Sequence, residues 1–322
     1  MSARKVKAPR WEETAPLRVF DADAKSMVCS SRKFDLIYKI RLAEAWARGD
    51  ARQIRRAETN YLEMQRSRLS FFEADPLRTS PAEFLMSFRR LAESIFRNGY
   101  DFSTPPIPVE TGTMELLNGA HRLSCCAAYG RACRFAEYPR VYFGTHGGST
   151  FRAFREGRIA EAVENDGVRE YLKFNEAARI VEIAPASGED EESAISRVES
   201  ELGCIVWHSR PLPGGAFAFT VAPRSPESKC AALPPPSQDA VDRLFPALPE
   251  PDWRKRAEEM RPDRAPLMRK KLKYALSLPF KFGRKRKKAK LHMIDLDCRA
   301  VAFDALADYV AQSIPSKGFG AQ

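Results

Sequence analysis

The sequence predicts a mixed α/β protein of the α+β type, and three patterns in the chain support this. Apolar residues recur at helical spacing from Phe34 to Phe72. A strand-like run at 105–117 leads through Asn-Gly into a helix-like run at 121–129. Two short runs of strand-forming residues, 204–207 and 217–221, flank a Gly-rich turn. A helical extension therefore precedes a first α/β domain, and a second α/β domain follows.

The length of the chain allows two domains. Its 322 residues exceed what one hydrophobic core commonly organises. We expect a flexible N-terminus at 1–33, a first domain at 34–145 and a second α/β domain at 146–322. A stretch rich in Pro and Ser at 223–236 is interpreted as a linker or long loop within the second domain.

Composition favours a cytoplasmic protein. Hydrophobic residues make up 44% of the chain and charged residues 30%, which is typical of a soluble globular protein. The sequence has no apolar run of about 18 residues, and no apolar stretch follows its basic start, which argues against a secretory signal. The seven cysteines have irregular spacings that match neither a disulfide framework nor a zinc site.

Positive charge is concentrated in a basic segment at 269–290. This segment holds eleven Lys and Arg residues and no acidic residue, which equals the net charge of +11 for the whole chain. Apolar and aromatic residues are interspersed among the cations, a mixture that suits an anionic membrane surface at the inner face of the membrane. The same run could contact nucleic acid, or it is simply a solvated loop.

Local signals define the expected elements of the first domain. Ser80 can cap a helix whose first position is Pro81, and Glu83 can close a capping box. The expected elements are a helix from Pro81 to about Asn98, an edge strand at 105–110, a short strand at 114–117, a helix at 121–129 ended by Gly130, and a strand at 133–137.

The second domain shows similar signals. Its expected elements are a strand at 180–183, a helix from about 188 to 202, strands at 204–207 and 217–221, a strand at 290–297 and a helix at 300–313. Trp207 and His208 are interpreted as core and strand-edge residues.

The turn 118–122, Asn-Gly-Ala-His-Arg, is the main candidate for a ligand site. A helix start carries unpaired N–H groups and partial positive charge, and Gly119 lets a ligand approach the backbone. Arg122 offers a planar fork that matches phosphate oxygens, and His121 can donate a hydrogen bond or act as an acid or base. The alternative is an ordinary turn between a hairpin and a helix, with Arg122 in a structural salt bridge.

Residues 80–139 resemble the ParB/sulfiredoxin superfamily. The likeness joins a helix ending in "NGY", then "PPIPV", a short hairpin, "LLNGAHRLSCCAAYGR" and a strand. Members bind nucleotide phosphates at a Gly-x-His-Arg or Gly-x-Arg-Arg turn. The resemblance therefore implies nucleotide binding by five consecutive residues: Asn118, Gly119, Ala120, His121 and Arg122.

Three activities of that superfamily can be compared with these residues. Sulfiredoxins carry a catalytic Cys directly before the His-Arg pair, where this chain has Ala120. ParB partition proteins follow the nucleotide fold with a helix-turn-helix domain, whereas this chain continues with strand signals and Gly-rich turns. Free serine kinases of the superfamily place a catalytic Glu at the start of the preceding helix, where this chain has Glu83. Asn118 replaces their usual Asp.

Three further strings, "IYKIRLAEAWARGD", "YLKFNEAARIVEIAPA" and "LHMIDLD", resemble bacterial proteins associated with gene clusters for capsule or lipopolysaccharide synthesis. The resemblance implies a kinase that uses ATP or ADP with Mg²⁺ and phosphorylates a sugar or polyol. Glu83 and His121 would then be catalytic. The alternative is a nucleotide-dependent ParB-like binding protein without transfer chemistry, whose partner is a membrane surface or, less favoured, nucleic acid.

Two weaker candidates complete the sequence analysis. The Gly-rich run at 144–150 could form a second phosphate nest, or it is a flexible connector. A divalent metal could be held by three residues near the last expected strand, His292, Asp295 and Asp297. An Asp that caps the last helix is the plainer interpretation of that group.

Overall fold

The structure is a computed structural model that describes residues 14–67, 81–139, 150–253, 255–256, 269, 272–273, 275–276 and 318–319, with the backbone alone at 81–84. The expectations for the turn at 144–149, the strand at 290–297 with its candidate metal ligands, and the helix at 300–313 lie outside these residues.

The chain divides into two compact units, each built from three separate stretches. The sheet unit comprises 1–40, 94–151 and 167–246, and the helical unit comprises 41–93, 152–166 and 247–322. This division differs from the expected boundary at 145/146, because both sheets of the described chain belong to the sheet unit. The described residues form a mixed α/β fold of helices and two small sheets.

The first sheet has three strands in the order β1-β3-β2: β1 (Arg18–Asp23), β2 (Ile107–Glu110) and β3 (Ala132–Tyr138). Strand β1 pairs antiparallel to β3, with Phe20 opposite Phe135 and their rings stacked 5.6 Å apart. Helix α1 (Ala24–Cys29) follows at once, and the Asp23 side chain caps it. The expectation of a flexible start up to residue 33 is therefore wrong for 18–29.

Strand β2 lies at an edge of this sheet, as its prolines predict. It pairs parallel to β3, with Ile107 opposite Phe135. The expected strand at 114–117 is reduced to one antiparallel bridge between Val109 and Leu116.

Helix α5 (Ala120–Ala128) connects β2 to β3 and packs against α1. Its buried residues include Leu123, Cys126 and Ala127. Gly130 follows in the left-handed conformation, with φ of 61°, and so ends the helix as predicted.

The second sheet has the order β4-β6-β5 and is antiparallel throughout: β4 (Arg179–Ile183), β5 (Cys204–Pro211) and β6 (Phe217–Pro223). Helix α8 (Glu191–Leu202) packs against this sheet. The Pro-rich loop at 223–236 contains a short 3-10 turn. This turn buries Cys230 in the apolar cluster that α8 forms with the sheet. The loop is therefore packed rather than a free linker.

Aromatic rings fill the interior beside β5. Trp207 and Tyr171 stack in parallel with ring centroids 3.8 Å apart, and Tyr171 belongs to α7 (Glu161–Phe174). His208 is fully buried between Phe34, Phe151 and Phe245. The interpretation of Trp207 and His208 as core residues on an edge strand is confirmed. Helix α9 (Gln238–Leu244) also belongs to the sheet unit. Helix α6 (Phe151–Glu156) begins at the last residue of one stretch of that unit and continues in the helical unit.

The predicted helical stretch at 34–72 forms α2 (Asp35–Arg48) and α3 (Ala51–Ser67). Helix α4 (Pro81–Asn98) begins at the predicted proline and ends before Gly99, whose φ is 79°. In the helical unit Phe88 packs against Trp46 and Tyr61, with ring centroids 5.3 and 5.6 Å away. Among the described helices, none has the length and apolar character needed to cross a bilayer.

Candidate functional site

The turn 118–122 leads into α5 without a side-chain cap. Gly119 is the residue before the helix and adopts the left-handed conformation, with φ of 84° and ψ of 19°. It provides no side-chain cap, and Asn118 directs its amide oxygen to the Gly119 N–H at 2.6 Å. The backbone N–H groups of the first helical turn therefore receive no capping oxygen from either residue.

Arg122 folds back over the start of this helix. Its Nη1 donates to the Pro105 carbonyl, and its Nη2 lies 3.4 Å from the position that a Cβ on Gly119 would occupy. Its hydrogen-bond partner among the described residues is thus a carbonyl, and the predicted alternative of a structural salt bridge does not occur there. The Arg122 guanidinium therefore lies close to Gly119, the residue before the helix.

His121 is the second residue of α5 and is half-buried, so it stands in the same helical turn as Arg122. The structure brings together the five predicted residues from Asn118 to Arg122. Glu83 occupies the first turn of α4, whose side chains at 81–84 lie outside the described atoms. A pairing of Glu83 with the turn therefore stays a prediction.

The two cysteines that follow the turn are packing residues. Cys125 and Cys126 are both fully buried, and burial raises the pKa of Cys125 well above the ordinary range of a thiol. Cys126 shares a hydrogen bond with the buried Cys133, which raises the pKa of the Cys133 thiol. With Ala120 ahead of the His-Arg pair, the turn presents no thiol nucleophile.

A second site, which the sequence analysis missed, lies in the sheet unit at the end of β2. A cavity of about 440 Å³ opens there, between the turn that follows β2 and the strands β5 and β6. Its lining residues are Ser30, Arg32, Glu110, Gly112, Thr113, Met114, Glu115, Thr150, Ile205 and Arg224.

Two arginines on one side of this cavity share a carboxylate. Arg32 Nη2 and Arg224 Nη2 lie 2.7 and 3.2 Å from the same Oε2 atom of Glu199. The other oxygen of Glu199 accepts from the Val206 backbone at 3.0 Å, and Arg224 Nε donates to the Cys204 carbonyl at 2.7 Å. Both guanidinium groups are therefore held in place.

Carboxyl and hydroxyl groups belong to the turn that follows β2. Glu110 accepts a hydrogen bond from Thr113 Oγ1 at 2.8 Å. Burial raises the pKa of Glu115, although Lys33 and Arg32 act in the opposite direction. Met114, between them, has a positive φ of 53°, which is uncommon for a residue with a side chain. In the sequence, the signal for this site was the pair Glu110 and Glu115 on either side of a Thr-Gly-Thr turn. No local pattern connects this turn with Arg32 or Arg224, which lie far from it along the chain.

Among the residues that the structure describes, no three or more His, Cys, Asp or Glu side chains are grouped so that they could hold a metal ion. The candidate ligands His292, Asp295 and Asp297 lie outside those residues. The resemblance to the ParB/sulfiredoxin superfamily rests on the sequence motifs alone. Comparison of the chain with protein-family models, with curated proteins and with solved structures found no match.

Proposed function

We propose that the chain is a small-molecule kinase of the ParB/sulfiredoxin type, in which the turn 118–122 holds the phosphates of the nucleotide. One observation carries the proposal. Gly119 precedes α5 in the left-handed conformation without a side-chain cap, and Arg122 Nη2 lies 3.4 Å from the position that a Cβ on Gly119 would occupy. Unpaired N–H groups at a helix start and a planar guanidinium are both strong phosphate ligands.

The proposed reaction transfers the terminal phosphoryl group of ATP, or of ADP, to a hydroxyl of a sugar or polyol. The bond from the terminal phosphorus to its bridging oxygen breaks, and a bond to the acceptor oxygen forms. The amides of the first turn and Arg122 offset the charge on the phosphate oxygens, and His121 donates a hydrogen bond to them. The acceptor proton passes to a carboxylate, for which Glu83 is the candidate.

Mg²⁺ would enter with the nucleotide, because this ion is usually held by substrate phosphates, water and one or two carboxylates. Its charge would help to neutralise the phosphate oxygens. The Asn118 amide oxygen is already bonded to the Gly119 N–H, and the described residues of the turn include no carboxylate. We therefore assign no protein ligand to the ion.

The central test is the affinity of the full chain for ATP and ADP, measured by calorimetric titration with and without Mg²⁺. Arg122→Ala should weaken binding at least about tenfold, since a charge-assisted bond to phosphate is lost. Arg131→Ala is the matched control, because Arg131 is exposed just beyond α5. Equal affinity of the Arg122→Ala and wild-type proteins would remove the proposal. ADP release in the presence of a polyol panel separates a kinase from a protein that only binds nucleotide.

The basic segment 269–290 supports a second proposal, that of a contact with an anionic membrane surface. Its described residues are helical, and Leu272 and Leu276 are 59% and 65% exposed, one helical turn apart. Apolar side chains among cations are suited to the headgroup region. The fraction of the protein that sediments with phosphatidylglycerol vesicles should fall when the lysines of the segment are replaced by Gln. Binding to phosphatidylcholine vesicles of equal strength would contradict an electrostatic contact.

A further inference from the structure

We propose that the cavity at the end of β2 binds a small polyhydroxy anion, such as a sugar acid or a sugar phosphate. Its anionic group would lie between Arg32 and Arg224, and its hydroxyl groups would bond to the side of the cavity formed by 110–115. This ligand site is distinct from the turn 118–122.

The two sites lie at opposite ends of β2. A Cβ on Gly119 would be 3.3 Å from Ile107 Cγ2, at the first residue of the strand, whereas Glu110 at its last residue lines the cavity. Three residues of a strand span about 10 Å, and reacting atoms must approach to about 3–3.5 Å. A phosphate on the turn therefore does not reach a hydroxyl in the cavity directly. The proposal does not depend on the kinase proposal.

The arginine pair accounts for an anionic ligand. The guanidinium groups of Arg32 and Arg224 share the single carboxylate of Glu199, which leaves an excess of positive charge on this side. Each guanidinium has five N–H donors, and the contacts with described residues use only part of them. Their side chains are 43% and 51% exposed, so these donors are open to a ligand.

The carboxyl groups of Glu110 and Glu115, which also line the cavity, provide acceptors for the hydroxyl groups of a ligand. Glu110 already accepts a bond from the Thr113 hydroxyl, which shows the kind of donor that this turn uses. Two further polar residues, Ser30 and Thr150, also line the cavity. Its volume of about 440 Å³ is within the usual range for small-molecule sites.

The backbone conformation of Met114 is of a kind that is common at ligand sites. A residue with a side chain is strained in the left-handed region. Such conformations concentrate at ligand clamps and active sites. Here Met114 has φ of 53° and lines the cavity between Thr113 and Glu115.

The test is a calorimetric titration of the full-length protein with five probes, one of which is glycine, a small molecule that carries an ammonium group and a carboxylate. Gluconate and glucose 6-phosphate carry hydroxyls with a carboxylate or a phosphate, sorbitol carries hydroxyls alone, and propionate carries a carboxylate alone. We expect gluconate or glucose 6-phosphate to bind at least about tenfold more tightly than sorbitol and propionate, since both sides of the cavity contribute. The better of the two identifies the anionic group.

Variants place the binding in the cavity. Arg224→Gln should weaken binding of the better probe about tenfold, and Thr113→Ala about threefold, whereas Arg131→Gln should leave it unchanged. Thr113 is exposed and does not contact Glu199, so Thr113→Ala stays informative if Arg224→Gln fails to fold.

Three results would overturn the proposal. The first is the absence of binding by both hydroxylated anions. The second is binding that neither Arg224→Gln nor Thr113→Ala weakens. The third is tighter binding of glycine than of either hydroxylated anion, because that would show a preference for an ammonium group. Binding that survives Arg122→Ala separates this site from the turn 118–122.

Discussion

Glu63 and Arg66 form a two-pronged ion pair inside the helical unit. Arg66 Nε and Nη2 each lie 2.6 Å from a different oxygen of Glu63, and both side chains are almost fully buried. Glu63 Oε1 also accepts from Arg256 Nη2 at 2.7 Å and from the Ala160 backbone at 2.9 Å. One carboxylate therefore holds α3 to two other stretches of the unit.

Replacing Glu63 with Ala should lower the free energy of unfolding by about 3–5 kcal/mol, because it leaves the buried Arg66 without its counter-charge. Urea denaturation followed by circular dichroism would measure this. Glu44→Ala is the control, since Glu44 pairs with Arg41 near the surface at 2.6 Å. That loss should stay below about 1 kcal/mol. Similar losses at the two positions would contradict the role given to Glu63.

Gly119 should tolerate a side chain less well than Gly130, although both have positive φ. A Cβ at Gly130 would meet no atom within 4 Å, whereas at Gly119 it would lie 3.3 Å from Ile107 Cγ2 and 3.4 Å from Arg122 Nη2. Gly130→Ala should therefore cost about 1 kcal/mol for its backbone conformation alone. Gly119→Ala should cost more and should also weaken ATP binding.

The two variants can be compared by thermal unfolding with and without ATP. The nucleotide should raise the midpoint of Gly130→Ala as much as that of the wild type, and should raise that of Gly119→Ala less, because bound ligand stabilises the native state by mass action. An equal rise for Gly119→Ala would argue against the turn as the phosphate site.

Elements with strong local signals were predictable from the sequence. Pro81 at a helix start and Gly99 after its end define α4, and the prolines before and within β2 confine that strand to a sheet edge. The turn 118–122 was found for the same reason, since Gly119 and Arg122 lie three positions apart in one local motif.

Features that depend on distant partners were not predictable. Strand β1 has the sequence Arg-Val-Phe-Asp-Ala-Asp, which does not alternate regularly, and it is stabilised by pairing in which Arg18 lies opposite Glu137. The cavity at the end of β2 likewise joins Arg32, Glu115 and Arg224, which no periodicity or spacing connects. Side chains so far apart along the chain meet only through tertiary packing.

The protein should be more stable with glycine than with alanine at position 114, where the native residue is Met114. Both Met114→Gly and Met114→Ala remove the side chain, but only glycine adopts a φ of 53° without strain. We expect the Gly variant to unfold with a free energy about 0.5–1 kcal/mol higher than that of the Ala variant. At Arg52, which is exposed in α3, the order should reverse by about 1 kcal/mol. Denaturant titration of the four variants gives both differences, and the same order at both positions would contradict the strain at Met114.

Glu115→Gln should stabilise the protein increasingly as the pH rises from 4 to 7. Burial raises the pKa of Glu115 in the folded state, while an unfolded Glu ionises near about 4.3. Below that pH the carboxyl is protonated in both states and has no effect. As the pH rises, the unfolded chain releases the proton more easily, so the wild type loses stability until the folded carboxyl ionises as well. Gln avoids this loss.

Glu189→Gln provides a control of opposite sign. The Arg197 side chain lowers the pKa of Glu189 to about 2, so this carboxylate contributes stability above the unfolded pKa and loses it as the pH falls toward 2. Relative to the wild type, Glu189→Gln should become less stable as the pH rises, and Glu115→Gln more stable. Urea titrations at pH 4, 5, 6 and 7 measure both trends. A difference between Glu115→Gln and wild type that is constant with pH would show that burial does not raise the pKa of Glu115.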